Sequence, residues 1–432
     1  MTGVHTDRDH RTGSQPPDVD ADADEPAEHT QGHLDAAAMR PARDGPLRDV
    51  RVIDLTQALA GPYCTMILAD LGADVIKAEA PKGDLPRFLP PFTETDGERA
   101  FGGYFASINR NKRGITLDLK DPTDRDRCLR LIDGADVVVE NFKAGVMERL
   151  GLGYEALAER NPALVYGAIR GFGDPRTGTS PHAQWPAFDI VAQAMGGLIS
   201  CTGTADGERV ASGPSVGDLY PATMCAVGIL AALHHARMTG EGQFVDVAMM
   251  DAVMALCESV TWRYSYEGEV QAPRGSAHPS ISPFEVFPTA DGQCAIAAPT
   301  PAQWAHLCRT VGREDLIEDE RTRTSPRRSA NRELVHEVLS SWTSARTTDD
   351  VVAALAGHVP VGPVNDAPAL FRSEHVRSRE MLVAVDHPGS ERPVVTANTP
   401  IRFTRTGTGV YRRAPKLGEH TDEVLAELEQ RE

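Results

Sequence analysis

Short apolar runs alternate with amphipathic segments through the first half of the chain. The apolar runs are bounded by polar or glycine residues and predict β-strands; they are VRVIDLT, DVIKAEA, GITLDL, DVVVENF and ALVYGAIRGFG. The segments between them repeat apolar residues at helical spacing, as in AGPYCTMILADLGA and DPTDRDRCLRLIDGA. Strands that alternate with helices predict an α/β fold, with a Rossmann-like large domain whose mainly parallel sheet carries helices on both faces.

The second half of the chain continues this alternation and then breaks it. A helix is predicted over YPATMCAVGILAALHHARMTG, a strand over QFVDVAM and a helix over DAVMALCESVTWRYSY. The segment EGEVQAPRGSAHPSISP is rich in Gly, Pro and Ser, which indicates a domain boundary. We therefore expect a large domain over residues 46–266, a smaller α+β domain over 267–370, and a C-terminal segment, 371–432, that returns to the large domain.

Residues 1–45 differ in composition from the rest of the chain. They are rich in Asp, Glu, Pro, Thr and His and contain almost no large apolar side chains. Such a segment buries too little apolar surface to offset the entropy of ordering it. We therefore expect a disordered acidic tail that is dispensable for the fold.

Net charge and cysteine usage narrow the class of protein. The formal net charge of −18 over 432 residues disfavours nucleic acid and anionic membranes as partners, because phosphates would be repelled. The seven cysteines show no CxxC spacing, which is typical of reduced cytoplasmic thiols and not of a metal site. Neither a signal peptide nor an apolar run of membrane-spanning length is expected. No GxGxxG follows the first predicted strand, which disfavours a nicotinamide dehydrogenase.

Several polar residues near predicted element ends are candidates for chemistry. Asp218 stands between a glycine-rich turn and a long apolar segment, so its carboxylate either caps a helix or reacts. Arg110 and Lys112, just before a predicted strand, either bind phosphates or belong to a solvated surface run. Asn141 and Arg149 are either a helix cap and a surface arginine, or two groups that face one ligand. The residues alone leave both interpretations open in each case.

Seven stretches, in order along the chain, resemble the class III CoA-transferase family, which includes formyl-CoA transferase, carnitine CoA-transferase and α-methylacyl-CoA racemase. The stretches are AGPYCTMILADLGADVIKAEAPKGD, NRNKRGITLDL, VVVENFKAGVMERLGLGY, PAFDIVAQAMGG, GDLYPATMCAVGILAAL, TGEGQFVDVAMMDAV and LGEHTDEVL. The resemblance runs from about Leu47 to the C-terminus. It implies an interlocked homodimer whose subunits combine a Rossmann-like large domain with a small one. It also implies coenzyme A thioesters as substrates and no tightly bound cofactor.

The resemblance further implies which residues form the site. Coenzyme A would lie along the large domain, at the matching positions Ala58, Ala60, Leu117, Asn141, Phe142 and Arg149. We add Arg87, Arg110 and Lys112 as candidate phosphate contacts. The substrate pocket is expected to include Gln57, Leu59, Phe188 and Gly217. The family's catalytic aspartate corresponds to Asp218.

The mechanism that the resemblance implies is covalent catalysis by this aspartate. The Asp218 carboxylate attacks the thioester carbonyl of an acyl-CoA donor, which gives a mixed anhydride and CoA thiolate. The thiolate returns to form an aspartyl-CoA thioester and releases the donor acid, and an acceptor acid then reverses the sequence. The expected partners are therefore an acyl-CoA donor and a carboxylic acid acceptor.

Two alternatives stay open at this point. A racemase needs proton-transfer groups on both sides of the α-carbon, but the matching positions hold Phe188 and Pro288, which cannot move a proton. A non-catalytic acyl-CoA-binding protein is disfavoured by the aspartate. The histidine, glutamine and lysine of formyl-CoA transferase correspond to Gln57, Leu59 and Pro186, so formate and oxalate are poorly supported. We expect a larger or less charged acyl group.

Overall fold

The structure is a computed structural model that describes residues 36–40, 43–390 and 392–430. Its strands are β1 (Arg51–Asp54), β2 (Asp74–Glu79), β3 (Arg113–Thr116), β4 (Val137–Glu140), β5 (Val165–Arg170), β6 (Phe244–Ala248), β7 (Phe284–Pro288), β8 (Gln293–Ala297), β9 (Val361–Pro363), β10 (Leu382–Val385) and β11 (Val394–Ala397). Its helices are α1 (Ala60–Asp70), α2 (Gly103–Ile108), α3 (Pro122–Asp133), α4 (Val146–Arg149), α5 (Tyr154–Arg160), α6 (Asp189–Met195), α7 (Leu198–Cys201), α8 (Val216–Thr239), α9 (Met249–Leu256), α10 (Glu258–Glu267), α11 (Pro301–Thr310), α12 (Ser325–Ala330), α13 (Arg332–Thr343), α14 (Thr348–Leu355), α15 (Ala367–Arg372), α16 (Glu374–Ser378) and α17 (Thr421–Glu429).

Strands β1 to β6 form one parallel sheet, which confirms the α/β prediction. The strand order is β3-β2-β1-β4-β5-β6, and each neighbouring pair runs parallel. In the sheet, β2 and β3 lie on one side of β1, and β4, β5 and β6 lie on the other. The direction in which the chain adds strands therefore reverses between β1 and β4. In sheets of this kind, a crevice opens at the carboxyl ends of the two strands that flank the reversal, and ligands bind there.

Helices cover both faces of this sheet. On one face, α1, α8 and α9 pack on apolar side chains of the sheet, in a cluster that includes Val52, Cys64, Val139 and Ile229. On the other face, α3, α5 and the C-terminal helix α17 do the same around Ile53, Ile115, Leu157 and Val424. Strands β4 and β5 are buried along their whole length. Apolar residues on both sides of a strand are typical of the centre of a parallel sheet.

A second, antiparallel sheet contains β7, β8 and β9. Its apolar face and helices α11, α13 and α14 share a separate core that includes Phe287, Ile296, Trp304 and Leu339. Strands β10 and β11 form an antiparallel pair further along the chain. The boundaries of the large and small domains stay a prediction.

The predicted tail, residues 1–45, extends too far into the folded chain. Residues 1–35 lie outside the described residues, but the backbone of Ala37 bonds to β10 on both sides, with N–O distances of 2.9 Å. The N–H of Arg40 donates to the carbonyl of Val410 at 2.7 Å. Gly45 lies so close to the α1–β2 turn that a β-carbon there would come within 2.1 Å of the Leu71 carbonyl oxygen. Short backbone contacts of this kind do not show in composition.

Helix α8 differs from its prediction in where it begins and in its length. It begins at Val216, before the predicted start at Tyr220, and Pro221 lies inside the helix. By length and composition α8 could cross a membrane, with a mean hydropathy of 1.6. The expectation that no apolar segment reaches membrane-spanning length was therefore wrong. Its side chains at Ala222, Cys225 and Ile229 are fully buried, which is the burial of a core helix.

The helix predicted after β6 is in fact two helices. Helix α9 ends at Leu256 and α10 begins at Glu258, with Cys257 between them at a non-helical ψ of 45°. Three large aromatic side chains on α10 are exposed: Trp262 at 44%, Tyr264 at 64% and Tyr266 at 85%. Clusters of exposed large apolar side chains are frequent at protein–protein interfaces.

Candidate active site

A cavity of about 360 Å³ opens at the carboxyl ends of β1, β4 and β5, in the crevice that the strand order creates. Its walls come from the loops after these strands and from the amino end of α8. The lining residues are Gln57, Ala58, Leu59, Ala60, Asn141, Phe142, Lys143, Ala144, Ile169, Arg170, Gly171, Ala183, Trp185, Pro186, Ala187, Phe188, Asp218 and Met249. The structure thus brings together eight of the residues named from the sequence, namely Gln57, Ala58, Leu59, Ala60, Asn141, Phe142, Phe188 and Asp218.

The loop after β1 is tied to the loop after β4 by one amide side chain. The Oδ1 atom of Asn141 accepts the N–H of Gln57 at 2.8 Å, and its Nδ2 donates to the Gln57 carbonyl at 2.7 Å. Asn141 therefore holds the rim of the cavity across the reversal point of the sheet. Within the described residues it has no role as a helix cap, because the N-cap of α4 is Gly145.

Asp218 lies in the first turn of α8 and does not cap it. The N-cap is Ser215, three residues earlier, and its side chain makes no capping bond. Among the described residues, no hydrogen bond or ion pair to the Asp218 carboxylate is found. Burial, followed by the negative charge of Asp189, raises the pKa of Asp218 to about 7. A half-buried carboxylate without a partner, facing a cavity, is suited to a reaction and not to support of the fold.

Asp189, the first residue of α6, fixes the turn that carries Asp218. Its Oδ1 accepts the N–H of Gly217 at 2.7 Å, and its Oδ2 accepts the side-chain amide of Gln193 at 2.8 Å. A β-carbon at position 217 would come within 2.5 Å of the Asp189 carbonyl oxygen, so only glycine fits there. Gly217 is therefore a packing requirement beside the cavity.

Tyr104 of α2 is a further polar group near these carboxylates, and sequence reasoning missed it. Burial, and then the charges of Asp218, Asp189 and Asp84, raise the pKa of the Tyr104 phenol. The phenol therefore stays protonated at neutral pH. It comes from a helix between β2 and β3, and no motif in the sequence links that helix to Asp218.

The three arginine and lysine residues proposed as phosphate contacts have other partners, and the structure corrects this assignment. Arg87 is buried against Glu79, with N–O distances of 2.8 and 2.6 Å. Arg110 is buried against Asp70, with distances of 3.0 and 2.6 Å. Lys112 is fully buried, and its Nζ donates to Asp54 at 3.0 Å. Because these cations neutralise buried carboxylates, they do not face the cavity.

Two other residues predicted to bind coenzyme A lie off the cavity wall. Leu117 follows β3 and is 2% exposed, in the core between the sheet and helices α3, α5 and α17. Arg149, at the end of α4, is exposed, and a β-carbon at Gly145 would lie 3.3 Å from its Nη1. Its guanidinium therefore stands beside the loop after β4. Lys143, in the same loop, is exposed on the cavity wall, and sequence reasoning missed it.

The cavity wall is mostly apolar, and part of it faces solvent. Phe188 is 68% exposed and Trp185 is 55% exposed, whereas Leu59 is buried. Pro288, which matches the racemase glutamate, ends β7 in the antiparallel sheet and does not line the cavity. Among the described residues no group of three or more His, Cys, Asp or Glu side chains could hold a metal ion.

A protein-family model, named relatives and a solved structure all match most of this chain, and they agree with one another. Residues 47–421 match the model of CoA-transferase family III. A succinyl-CoA:mesaconate CoA-transferase of Haloarcula hispanica is 48% identical over 383 residues, which cover 89% of this chain and 96% of that protein. A succinate–glutarate CoA-transferase of Agrobacterium fabrum is 39% identical over 399 residues, 90% of this chain and 97% of that protein. The crystal structure of a CaiB/BaiF family protein of Brucella suis is 36% identical, with a TM-score of 0.79, over 89% of this chain and 100% of that chain.

Proposed function

Because this chain belongs to CoA-transferase family III and is a CoA-transferase, we propose that it moves CoA between short dicarboxylic acids by covalent catalysis at Asp218. The observation that carries this proposal is the carboxylate itself, which is half-buried and unpaired among the described residues and faces the cavity at the end of the parallel sheet. The family membership expected from the seven sequence stretches is confirmed.

The proposed reaction begins with the ionised form of Asp218 and regenerates it in the last step. Its oxygen attacks the thioester carbonyl of the donor; the new C–O bond gives an aspartyl–acyl anhydride, and the C–S bond breaks to release CoA thiolate. The thiolate then attacks the aspartyl carbonyl and expels the donor acid, which leaves an aspartyl-CoA thioester. The acceptor carboxylate repeats the two steps in reverse order and leaves as the new acyl-CoA, with Asp218 regenerated.

Relatives named for succinyl-CoA, mesaconate, succinate and glutarate support dicarboxylates as the substrate class. In such substrates one carboxylate reacts and the second stays charged, so the second needs a cation. Lys143 is exposed on the cavity wall, and no ion pair of its ammonium group is found in the part of the chain that the structure describes. We assign Lys143 to the non-reacting carboxylate. This replaces the expectation of a less charged acyl group.

The finer features of the resemblance belong to the same proposal. Exposed aromatic residues of α10 and the exposed Met224 and Val227 of α8 support a homodimer. Seven free cysteines support a reducing, cytoplasmic location. Phe188 on the cavity wall and Pro288 outside it support transfer over racemisation, because neither moves a proton.

The proposal is tested with succinyl-CoA as donor and mesaconate, glutarate, acetate, formate or oxalate as acceptors. We expect new CoA thioesters of mesaconate and glutarate but not of oxalate, and at least about a thousandfold loss of transfer in Asp218→Asn, because an amide is not a nucleophile of this kind. The products are measured by mass spectrometry of the CoA thioesters. Transfer only to acetate or formate would contradict the dicarboxylate substrate class. Full activity in Asp218→Asn would contradict the assignment of Asp218 as the nucleophile.

Replacement of Lys143 by methionine tests the cation directly. We expect KM for the dicarboxylate acceptor to rise about tenfold, because one charge-assisted hydrogen bond is lost, while kcat changes little. Steady-state kinetics with the acceptor varied give both constants. The matched control is Lys82→Met, an exposed lysine outside the cavity wall. An equal effect in both variants, or none in Lys143→Met, contradicts the assignment.

A further inference from the structure

The loop between β1 and α1 contains a residue in an unfavourable backbone conformation. Ala58 has a φ of 62°, in the left-handed region that side chains with a β-carbon rarely adopt. It lines the cavity, between Gln57 and Leu59 on the same wall. A strained residue persists only where the surroundings hold it, so the contacts of this loop show what fixes the cavity wall.

One carboxylate binds the backbone of Ala58 directly. Both oxygens of Asp84 accept the Ala58 N–H, at 3.1 and 3.2 Å. The Nζ of Lys77 lies 3.4 Å from Asp84 and donates to the Thr56 carbonyl at 2.8 Å, so it connects both ends of the loop. Lys77 is fully buried and Asp84 is 7% exposed. The contacts are thus largely shielded from solvent.

Asp84 is itself held by the ion pair described above. Its own N–H donates to the Oε2 atom of Glu79 at 3.0 Å, and Glu79 is paired with Arg87. Arg87 also stacks over the Phe105 ring, 3.6 Å from its centroid. A continuous set of contacts therefore runs from Arg87 through Glu79 and Asp84 to the backbone of Ala58. The buried arginine acts on the cavity through this set and not by contact with phosphate.

We propose that Asp84 is a positioning residue for CoA transfer, which holds Ala58 in its left-handed conformation and thereby fixes residues 57–59 in the wall of the cavity that Asp218 also lines. This inference rests on the proposed function for its kinetic consequence, whereas its structural part concerns the wall alone. Without Asp84 the strain at Ala58 is no longer offset, and the loop relaxes to an ordinary backbone conformation. A small displacement of the wall is enough to lower catalysis, because the reacting atoms must be closely aligned.

The decisive experiment combines Asp84→Ala with Ala58→Gly. Glycine adopts positive φ without the steric penalty of a β-carbon, so it replaces what Asp84 provides by a different route. We expect Asp84→Ala to lower kcat/KM for succinyl-CoA about 10- to 100-fold. The double variant should recover about fivefold of that loss, since the strain of one left-handed alanine is removed. Ala58→Gly alone completes the double-mutant cycle.

A matched control separates positioning from stability. Asp121→Ala also removes a carboxylate that accepts backbone N–H groups, those of Thr123 and Asp124 at 2.8 and 3.1 Å, but it lies at the start of α3. We expect a lower melting temperature and unchanged kcat/KM in that variant. If Asp84→Ala does not fold, Asp84→Asn carries the same comparison, because an amide oxygen still accepts one N–H but loses the attraction of Lys77.

The readouts are kcat/KM, the melting temperature and CoA affinity by calorimetry. A double variant no more active than Asp84→Ala, or Asp84→Ala within about twofold of wild type, overturns the inference. Absence of any CoA transfer in the wild type instead overturns the proposed function. In that case the calorimetric cycle still decides the inference: weaker CoA binding in Asp84→Ala that Ala58→Gly restores supports it, and unchanged binding overturns it.

Discussion

Asp54 and Asp218 are both carboxylates shielded by the α/β core, and their surroundings differ. Asp54, at the end of β1, is fully buried and accepts bonds from Thr56, Thr65 and Lys112 at 2.5 to 3.0 Å. Although burial acts in the opposite direction, the charges of Lys112 and Lys77 and the threonine hydrogen bonds lower its pKa to about 2. Burial and Asp189 instead raise the pKa of Asp218 to about 7.

The difference shows that burial of a carboxylate does not by itself indicate catalysis. Asp54 has a bonding partner for each oxygen, so its charge stabilises the fold and is not available to a ligand. Asp218 has none among the described residues, so its charge is costly to the fold and available to a substrate. The absence of a partner, and not the depth of burial, distinguishes Asp218, the proposed nucleophile, from Asp54.

Removing Lys112, the cation beside Asp54, should have the largest effect on the free energy of unfolding. Lys112→Met leaves the Asp54 charge buried without its closest cation, so we expect a loss of about 3–5 kcal/mol in the free energy of unfolding. Denaturant titration followed by circular dichroism measures it. Lys82→Met, at an exposed lysine, is the control and should change stability by less than about 0.5 kcal/mol. A loss below about 1 kcal/mol in Lys112→Met would mean that Asp54 does not depend on this lysine.

Removing the charge of Asp218 should have the opposite effect on the free energy of unfolding and stabilise the protein. The folded-state pKa of Asp218, about 7, lies above its unfolded value of about 3.9, so the folded state holds an additional proton between these values. Stability from this group therefore falls as pH rises from about 4 through 7. We expect Asp218→Asn to be more stable than wild type by roughly 2–4 kcal/mol at pH 8 and equal to it near pH 4. A less stable variant at pH 8 contradicts the contrast.

The contribution of Asp54 to stability changes with pH in the opposite direction. Its folded-state pKa of about 2 lies below the unfolded value, so its contribution is present above about pH 4 and is lost as pH falls through 2. In unfolding measured between pH 2 and pH 8, the difference between wild type and Asp218→Asn isolates Asp218, and the loss below pH 4 that both share includes the Asp54 contribution.

The smallest expected effect comes from the charge beside Asp218. Asp189→Asn keeps an oxygen for the Gly217 N–H but removes a negative charge, so the pKa of Asp218 should fall by less than about one unit. The acid limb of the kcat/KM profile should move to lower pH by the same amount. Glu148→Gln, at a carboxylate paired with Arg176 outside the cavity wall, is the control. No shift, or a shift to higher pH, in Asp189→Asn would contradict an effect of the Asp189 charge on the pKa of Asp218.

The sequence predicted the parallel sheet because strand and helix periodicities alternate clearly from β1 to β5. The same periodicity did not locate the start of α8, since Pro221 and Gly217 inside its first turns look like a loop. It also missed the break at Cys257, because no glycine or proline marks it between the two helices. Element type follows from local pattern, whereas element ends depend on contacts made far along the chain.

The site was predictable where a loop position alone decides the geometry. Gln57 and Asn141 follow strands, and Asp218 lies in the first turn of α8, so topology brings them together at one end of the sheet. Arg87 and Lys112 were misassigned because their carboxylate partners, Glu79 and Asp54, are 8 and 58 residues away and can only be identified in the fold. A basic run in sequence does not show whether its charges are already neutralised.

The central claim is that Asp218 is the nucleophile, and trapping of its covalent intermediate tests it most directly. The enzyme is incubated with succinyl-CoA, hydroxylamine is added during turnover, and the peptides are mapped by mass spectrometry. An anhydride or thioester on an aspartate reacts with hydroxylamine, so we predict a hydroxamate at Asp218 in wild type and none in Asp218→Asn. Modification at another carboxylate, such as Asp189 or Asp84, or turnover without any modified aspartate, would contradict the account.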